Sequence, residues 1–328
     1  MPHSNCSVCQ PPTTSFSKHP IGSLATLAQM LQLTTSDLAR ITADADRLYR
    51  IRKRERKKDG SIRLCFDALP PLKAVQARIQ CLILNKVNYP RYLQGSIKDH
   101  ATPRGQAPNA RLHVDKKTLI TEDIKQFFPS VRRHLVFDIW HRFFHCPPVV
   151  AECLTALTTK EVTLPQGAKT SALLANLVFW DDEWQLTADL HARGITYSRL
   201  IDDITCSSSA PLAKAELTRC IAAIRTMVQR KGLKLKRQKQ TIARAEARMV
   251  TTQLVVNKKT GLPAEKRSAI RAAVDAMTAT PPCERDTKPY LKRYRRVAGQ
   301  VSYLKQPHPN DAAILRTTLR TARTKEPS

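Results

Sequence analysis

Two adjacent carboxylates, Asp202 and Asp203, interrupt the run Ile195-Thr-Tyr-Ser-Arg-Leu-Ile-Asp-Asp-Ile-Thr-Cys-Ser207. The flanking residues favour extended chain, and Asp suits the tip of a tight hairpin. A hairpin of this kind needs sheet partners, and two carboxylates at its tip repel each other unless a cation sits beside them. Hard carboxylate oxygens suit Mg²⁺, which one or two carboxylates usually hold together with substrate phosphates. Such a site needs a third carboxylate from elsewhere, and Asp123 supplies it at the end of a strand-like run, Thr118 to Glu122. Taken alone, an Asp-Asp pair also fits a solvated turn or a helix start. The order of features around it decides.

The charge balance points to a polyanionic partner. Among 328 residues, 55 Lys and Arg face 27 Asp and Glu, a net charge of +28, more than solubility requires. At 42% hydrophobic the chain can bury a sizeable core, in one large domain or two to three small ones. No apolar run approaches the ~18–20 residues of a membrane span, and no basic amphipathic anchor stands out, so no membrane partner is expected. The first residues lack a charged segment followed by an apolar one. Nine scattered cysteines then read as reduced thiols in the cytoplasm. Cys6-Ser-Val-Cys9 has half of a zinc-site spacing, but no second pair follows, so residues 1–20 read as a loose tail.

Along the chain, residues 21–48 read as helical, with Leu24, Leu27 and Leu31 on one face and a second helix starting near Ser36-Asp37. Residues 49–66 alternate around Asp59-Gly60, a strong hairpin signal, and are densely basic. Helices are expected over 72–87, 131–144, 168–191 and 212–231. The stretch 95–113 reads as irregular. Leu173, Leu177, Trp180 and Trp184 form an inward stripe, and Gly194 stops that helix. Strands are expected over 232–236 and 249–257, and basic helices after Pro263. From Arg230 onward, 24 Lys and Arg face 7 Asp and Glu, so the excess charge is concentrated there.

The features around the acidic pair resemble the reverse transcriptases. Lys57-Lys-Asp-Gly-Ser-Ile-Arg63 looks like their fingers hairpin, and Asp123-Ile-Lys-Gln-Phe-Phe-Pro-Ser-Val131 like their first catalytic motif. Leu164-Pro-Gln-Gly-Ala-Lys-Thr-Ser171 resembles the nucleotide-contacting motif, and Ile201-Asp-Asp203 occupies the place of the Asp-Asp box. Gly232 to Lys239 and Val250-Thr251 resemble the next two motifs. Within that family the bacterial retron enzymes are most similar. They carry an Asn-Ala-x-x-His element, matched by Asn109-Ala-Arg-Leu-His113, and a Val-Thr-Gly element, which here reads Val250-Thr251-Thr252 without the glycine.

The resemblance implies an α+β right-hand polymerase. Residues 1–48 would be a tail and helical extension, 49–257 the fingers and palm (an antiparallel sheet plus helices), and 258–328 a small, basic, helical thumb. Asp123, Asp202 and Asp203 would be catalytic, and with Ile124 they would hold two Mg²⁺. Lys58, Arg63, Phe128, Gln166, Gly167 and Lys239 would bind the dNTP. Phe128 would exclude a ribose 2′-OH by bulk, while Phe127 belongs to the core. Lys258, Lys259, Lys292, Arg293, Arg295 and Arg296 would bind RNA, mainly by phosphate contacts. His113 reads as a brace rather than an acid or base. The implied activity is RNA-directed DNA synthesis on a structured noncoding RNA (msr-msd). It would be primed from a 2′-OH to give branched msDNA, in antiphage defence beside a separate effector. Its rivals are an abortive-infection or group II intron-like enzyme with other priming, and a non-catalytic RNA-binding scaffold.

Overall fold

The computed structural model describes residues 13–56 and 60–324; the Cys6–Cys9 pair and Lys58 lie outside the described residues. The chain enters through α1 (Leu24–Met30) and α2 (Thr35–Ala43). Each is started by a hydroxyl: Ser23 accepts from the Thr26 N–H, and Thr34 from the Asp37 N–H. Next, β1 (Tyr49–Arg56) and β2 (Ile62–Ala68) form the expected antiparallel ribbon, from Tyr49↔Ala68 to Arg56↔Ile62. Only its base is buried, so Arg50, Arg52, Lys53, Arg54 and Arg56 face solvent.

Helix α3 (Leu72–Leu82) ends before the expected residue 87: Ile83 caps it with φ widened to −117°, and a single 3₁₀ turn follows at Leu84–Lys86. Inside the stretch expected to be irregular, Gly105 at φ 140° opens a short helix, α4 (Gln106–Arg111). After β3 (Thr118–Asp123) come α5 (Phe127–Ser130), α6 (Arg133–Asp138) and a π turn at Ile139–Phe143, then α7 (Pro148–Thr158). The expected single helix over 168–191 divides into α8 (Ser171–Leu177) and α9 (Glu183–Ala192). Asp182, Glu183 and their neighbour Asp181 sit at the start of α9, where carboxylates favour a helix N-terminus over an interior. Gly194, at φ 68°, ends α9 as expected.

β4 (Ile195–Leu200), β5 (Asp203–Ser208), α10 (Lys214–Arg230) and β6 (Thr241–Arg244) follow. They build one antiparallel sheet of order β4-β5-β3-β6. Residues 232–236 do not form the expected strand. They cross the end of β3 with a single bridge, Leu235 to Ile124, and the chain then tightens into a 3₁₀ turn at Arg237–Lys239. The fourth strand is instead β6, which carried little signal because it is a mostly exposed edge. The 249–257 span folds into a miniature hairpin, β7 (Val250–Thr251) and β8 (Leu254–Val255). Its turn residues Thr252 and Gln253 take φ 44° and 69°. The chain ends in α11 (Ala264–Thr278), α12 (Lys288–Leu304) and α13 (Pro309–Thr324).

The sheet is buried on both faces. Ile120, Ile204, Cys206 and Tyr197 join a large core with α1–α3 and α6–α10. On the other face Leu119 joins a second core built from α4, β7–β8 and α11–α13, including Ala107, Met249, Leu254, Val274 and Val297. The C-terminal helices are therefore anchored to the face of the sheet that also carries Leu119 and, two pairs further along β3, Asp123. Among the described residues no helix is long and apolar enough to cross a membrane.

Candidate active site

Asp123 ends β3, Asp203 begins β5, and the two are register partners. Residues directly opposite on antiparallel strands project from the same face. Leu200 pairs with Asp203, which leaves Ile201 and Asp202 as the two-residue hairpin turn. Ile201 takes φ 61°, a left-handed conformation uncommon for a β-branched residue. The turn is tied down from two sides. The Ile124 N–H donates to the Asp202 carbonyl at 2.9 Å, and the Arg199 guanidinium donates to the Ile201 carbonyl at 3.0 Å. The Ile201 side chain lies over Gly95, where a Cβ would stand 2.4 Å from its Cδ1.

The three carboxylates are crowded. Burial, then the charges of Asp202 and Asp123, push the Asp203 carboxyl up to about 7. Burial and Asp123 raise Asp202 in the same way. The Lys239 ammonium donates to Asp123 Oδ2. Burial works against that ammonium, but the bond to Asp123 and the field of the three carboxylates outweigh it, so its pKa is raised. An all-oxygen set under mutual repulsion fits a hard divalent cation. The set does not stand in ready-made coordination geometry among the described residues. Ile124 has a hydrocarbon side chain and its N–H is spent on Asp202, so its backbone oxygen is the only atom it can offer a cation.

One cavity of about 870 Å³ gathers most of the expected residues: Arg63 from β2, Asp123, Ile124, Phe128, Gln166, Asp202 and Lys239. Phe127 is buried and stacks on Phe179 at 6.0 Å, whereas Phe128 is half-buried and lines the cavity. The Gln166 carbonyl accepts from the Phe66 N–H at 2.7 Å, which hooks the Leu164–Gly167 turn onto the ribbon. Gly167 is not in the cavity wall. At φ 107°, it packs where a Cβ would meet the Phe66 carbonyl oxygen at 2.6 Å, so the close approach requires glycine. The cavity also recruits cations that motif reasoning missed: Lys125, Lys160, Lys234, Lys236 and Arg237. Lys160 carried no local signal, since its place is set by a long-range packing contact with the Phe66 ring, 5.5 Å from Nζ.

Residues 55–270 match the family described as reverse transcriptase (RNA-dependent DNA polymerase). Over 93% of its length the chain is 33% identical to the retron Se72 reverse transcriptase of Salmonella heidelberg, covering 80% of that protein. The chain belongs to the retron-type reverse transcriptase family. It is also 26% identical to the retron Ec48 reverse transcriptase of Escherichia coli, over 88% of this chain and 73% of that one. With the retron Ec86 reverse transcriptase of Escherichia coli it shares 25% identity, over 77% and 78% of the two chains. This reverse transcriptase is accordingly an RNA-directed DNA polymerase with the α+β right-hand fold expected for it, and enzymes of this family use divalent ions and dNTPs.

Buried polar networks hold the acidic turn of the reverse transcriptase from behind. Arg199 and Glu183, both almost fully buried, form a two-bond ion pair at 2.6 and 2.7 Å, and Glu183 also accepts from the Tyr197 hydroxyl. Sequence reasoning missed this pair because its members come from different elements. On the second face of the sheet, His113 bonds Ser207 through Nδ1 and Ser198 through Nε2, each at 2.7 Å. Ser198 in turn donates to Asn109 Oδ1. Thr251 meets Thr205 at 2.6 Å. The Asn109–His113 and Val250–Thr251 elements are thus braces under the β4–β5 hairpin. Lys258, Lys259, Lys292, Arg293, Arg295 and Arg296 are all exposed on the C-terminal part, outside the cavity.

Proposed function

We propose that this reverse transcriptase copies its cognate msr-msd RNA into DNA primed from a 2′-OH of the RNA, giving branched msDNA. The observation that carries this reading is the single cavity onto which Asp123, Asp202, Arg63, Phe128 and Gln166 converge from distant segments. Asp123, Asp202 and Asp203, with the backbone oxygen of Ile124, hold two Mg²⁺. Held there, the ions would supply charge stabilisation for an in-line phosphoryl displacement.

The protein's own residues do the positioning. Arg63 grips the triphosphate through its bidentate fork, and Lys58 contributes a second cation to the nucleotide. Phe128 lies under the sugar and leaves no room for a 2′-OH. Gln166 lines the base and sugar pocket, and Gly167 keeps that turn against the ribbon. Lys239 meets the departing pyrophosphate. Residues 1–48 are an N-terminal tail and helical extension, 49–257 form fingers and palm, and 258–328 form the basic helical thumb. The exposed cations Lys258, Lys259, Lys292, Arg293, Arg295 and Arg296 hold the RNA by its phosphates. The enzyme works in the cytoplasm, in antiphage defence with a separately encoded effector.

Primer extension by the Asp202→Ala/Asp203→Ala double variant tests the site: synthesis falls to background if these carboxylates carry it, and retained synthesis refutes the assignment. Sequencing the nucleic acid that co-purifies with the enzyme tests the priming. A 2′–5′ branch is expected, and a linear product counts against it.

A further inference from the structure

Beyond the cavity, a second groove of about 790 Å³ begins where Lys125, Gln126, Pro129 and Lys234 line both spaces. It runs along α5 and α6 past Arg132 and His134 to Arg142. Arg142 belongs in turn to a third hollow of about 600 Å³ with His141, His145 and Trp180. The first two hollows share Lys125, Gln126, Pro129 and Lys234, and the last two share Arg142, so together they line one track that starts at the acidic site. Four of its exposed cationic or imidazole side chains, Lys125, Arg132, His134 and Lys234, pair with no carboxylate among the described residues. Arg142 and Lys231 do have acidic partners, Asp138 at 3.2 Å and Asp181 at 2.7 Å. At the far end the Arg142 guanidinium lies 5.7 Å from the centre of the Trp180 ring.

A polyanion is attracted by the unpaired cations. The half-buried Trp180 ring, with the Arg142 guanidinium over it and His141 and His145 lining the same hollow, offers a surface for stacking flat bases. A duplex hides its base faces, whereas a single strand presents them. We propose that this track binds a single-stranded nucleic acid that continues from the cavity, held by phosphate contacts at Arg132 and Arg142 and by stacking at Trp180. The binding claim stands on the groove itself; only the identity of the strand as template or product rests on the polymerase reading.

The test measures fluorescence anisotropy of labelled oligo(rU) and oligo(dT) on the full chain and on Arg132→Gln/Arg142→Gln, across a salt series. Loss of two phosphate contacts lowers the slope of log affinity against log salt by about 1.4, at ~0.7 per contact, and affinity falls about tenfold. An affinity loss confined to oligo(rU) makes the strand RNA, one confined to oligo(dT) makes it DNA, and an equal loss shows that the shared phosphate and base chemistry is recognised. Unchanged affinity and slope overturn the proposal. Photocrosslinking of 4-thiouridine-bearing oligo(rU) to the unmodified protein gives an arm that needs no variant. Adducts at 132–145 or Trp180 support the track, and adducts confined to 258–324 overturn it. If the wild-type protein extends no primer, the polymerase reading fails while these binding readouts still decide the groove.

Discussion

A methyl group at position 95 has nowhere to go. It would stand 2.4 and 2.5 Å from the Ile201 side chain and 2.9 Å from the Ile201 nitrogen, beneath the turn that carries Asp202. Gly95→Ala is therefore expected to lower primer-extension rate at least tenfold by shifting that turn, since small displacements of reacting groups carry penalties of this order. Ile201→Ala in the same chain removes the two side-chain clashes and restores part of the rate; no restoration in the double variant would show that Gly95 acts otherwise. Thr252 makes the converse case. It occupies φ 44°, where a β-branched side chain is strained, in the place where the family element has glycine. Thr252→Gly should stabilise the protein by about 1 kcal/mol, less whatever its 3.3 Å bond to the Gln106 carbonyl contributes. A urea midpoint that does not rise argues against strain there.

At the scale of elements, the β4–β5 hairpin rests on buried polar pairs rather than on apolar packing alone. Glu183 and Arg199 are 2% and 0% exposed at the side chain, so Glu183→Gln leaves a buried guanidinium without its counter-charge. The expected loss is about 3–5 kcal/mol, read in a urea titration, and polymerase activity falls with it because Arg199 also holds the Ile201 carbonyl. His113 predicts a pH dependence. Burial, then the charge of Lys116, pushes its pKa down to about 3 from the ordinary 6.5. The folded value lies below the unfolded one, so the neutral ring contributes its full stability above about 6.5, and that contribution is lost as pH falls toward 3. The slope is about 1.4 kcal/mol per pH unit in that window. His113→Gln cannot titrate, so the stability gap between wild type and variant should narrow as pH drops from about 7 to about 5. A gap independent of pH would mean that the buried ring is not held neutral.

The whole molecule carries +28, and its C-terminal helices present Lys292, Arg293, Arg295 and Arg296 to solvent on α12. Replacing these four by Gln should weaken binding of the co-purifying RNA. If each meets one phosphate, the salt slope falls by about 3, at 0.7–0.9 per contact. A slope equal to wild type would place the RNA elsewhere. How much of this was legible differs by residue. The basic ribbon, the Asp123 strand and the acidic turn were plain in the sequence, because alternation and turn chemistry are local signals. The division between Phe127 in the core and Phe128 at the cavity came from the spacing of the family motif after Asp123, since either ring could have been core by local pattern alone. The split of 168–191 was missed because hydrophobic periodicity continues through Trp180 while three successive carboxylates mark a new helix start. β6 was missed because an exposed edge strand needs no apolar alternation. The role of Gly167 was invisible, since only the distant Phe66 carbonyl makes the glycine necessary.

By itself the sequence determined the family of the protein, the placement of carboxylates at strand ends, and the identity of its partner as a polyanion. Those depend on residue type, short spacing and summed charge, which require no coordinates. The tertiary structure decided which cations share a cavity with Asp123 and Asp202, why Gly95 must lie under Ile201, and that the Asn109–His113 element, read from the sequence as a brace, does its bracing through Ser198 and Ser207. Each of these depends on a contact between residues tens to more than a hundred positions apart, and such contacts leave no periodic trace along the chain.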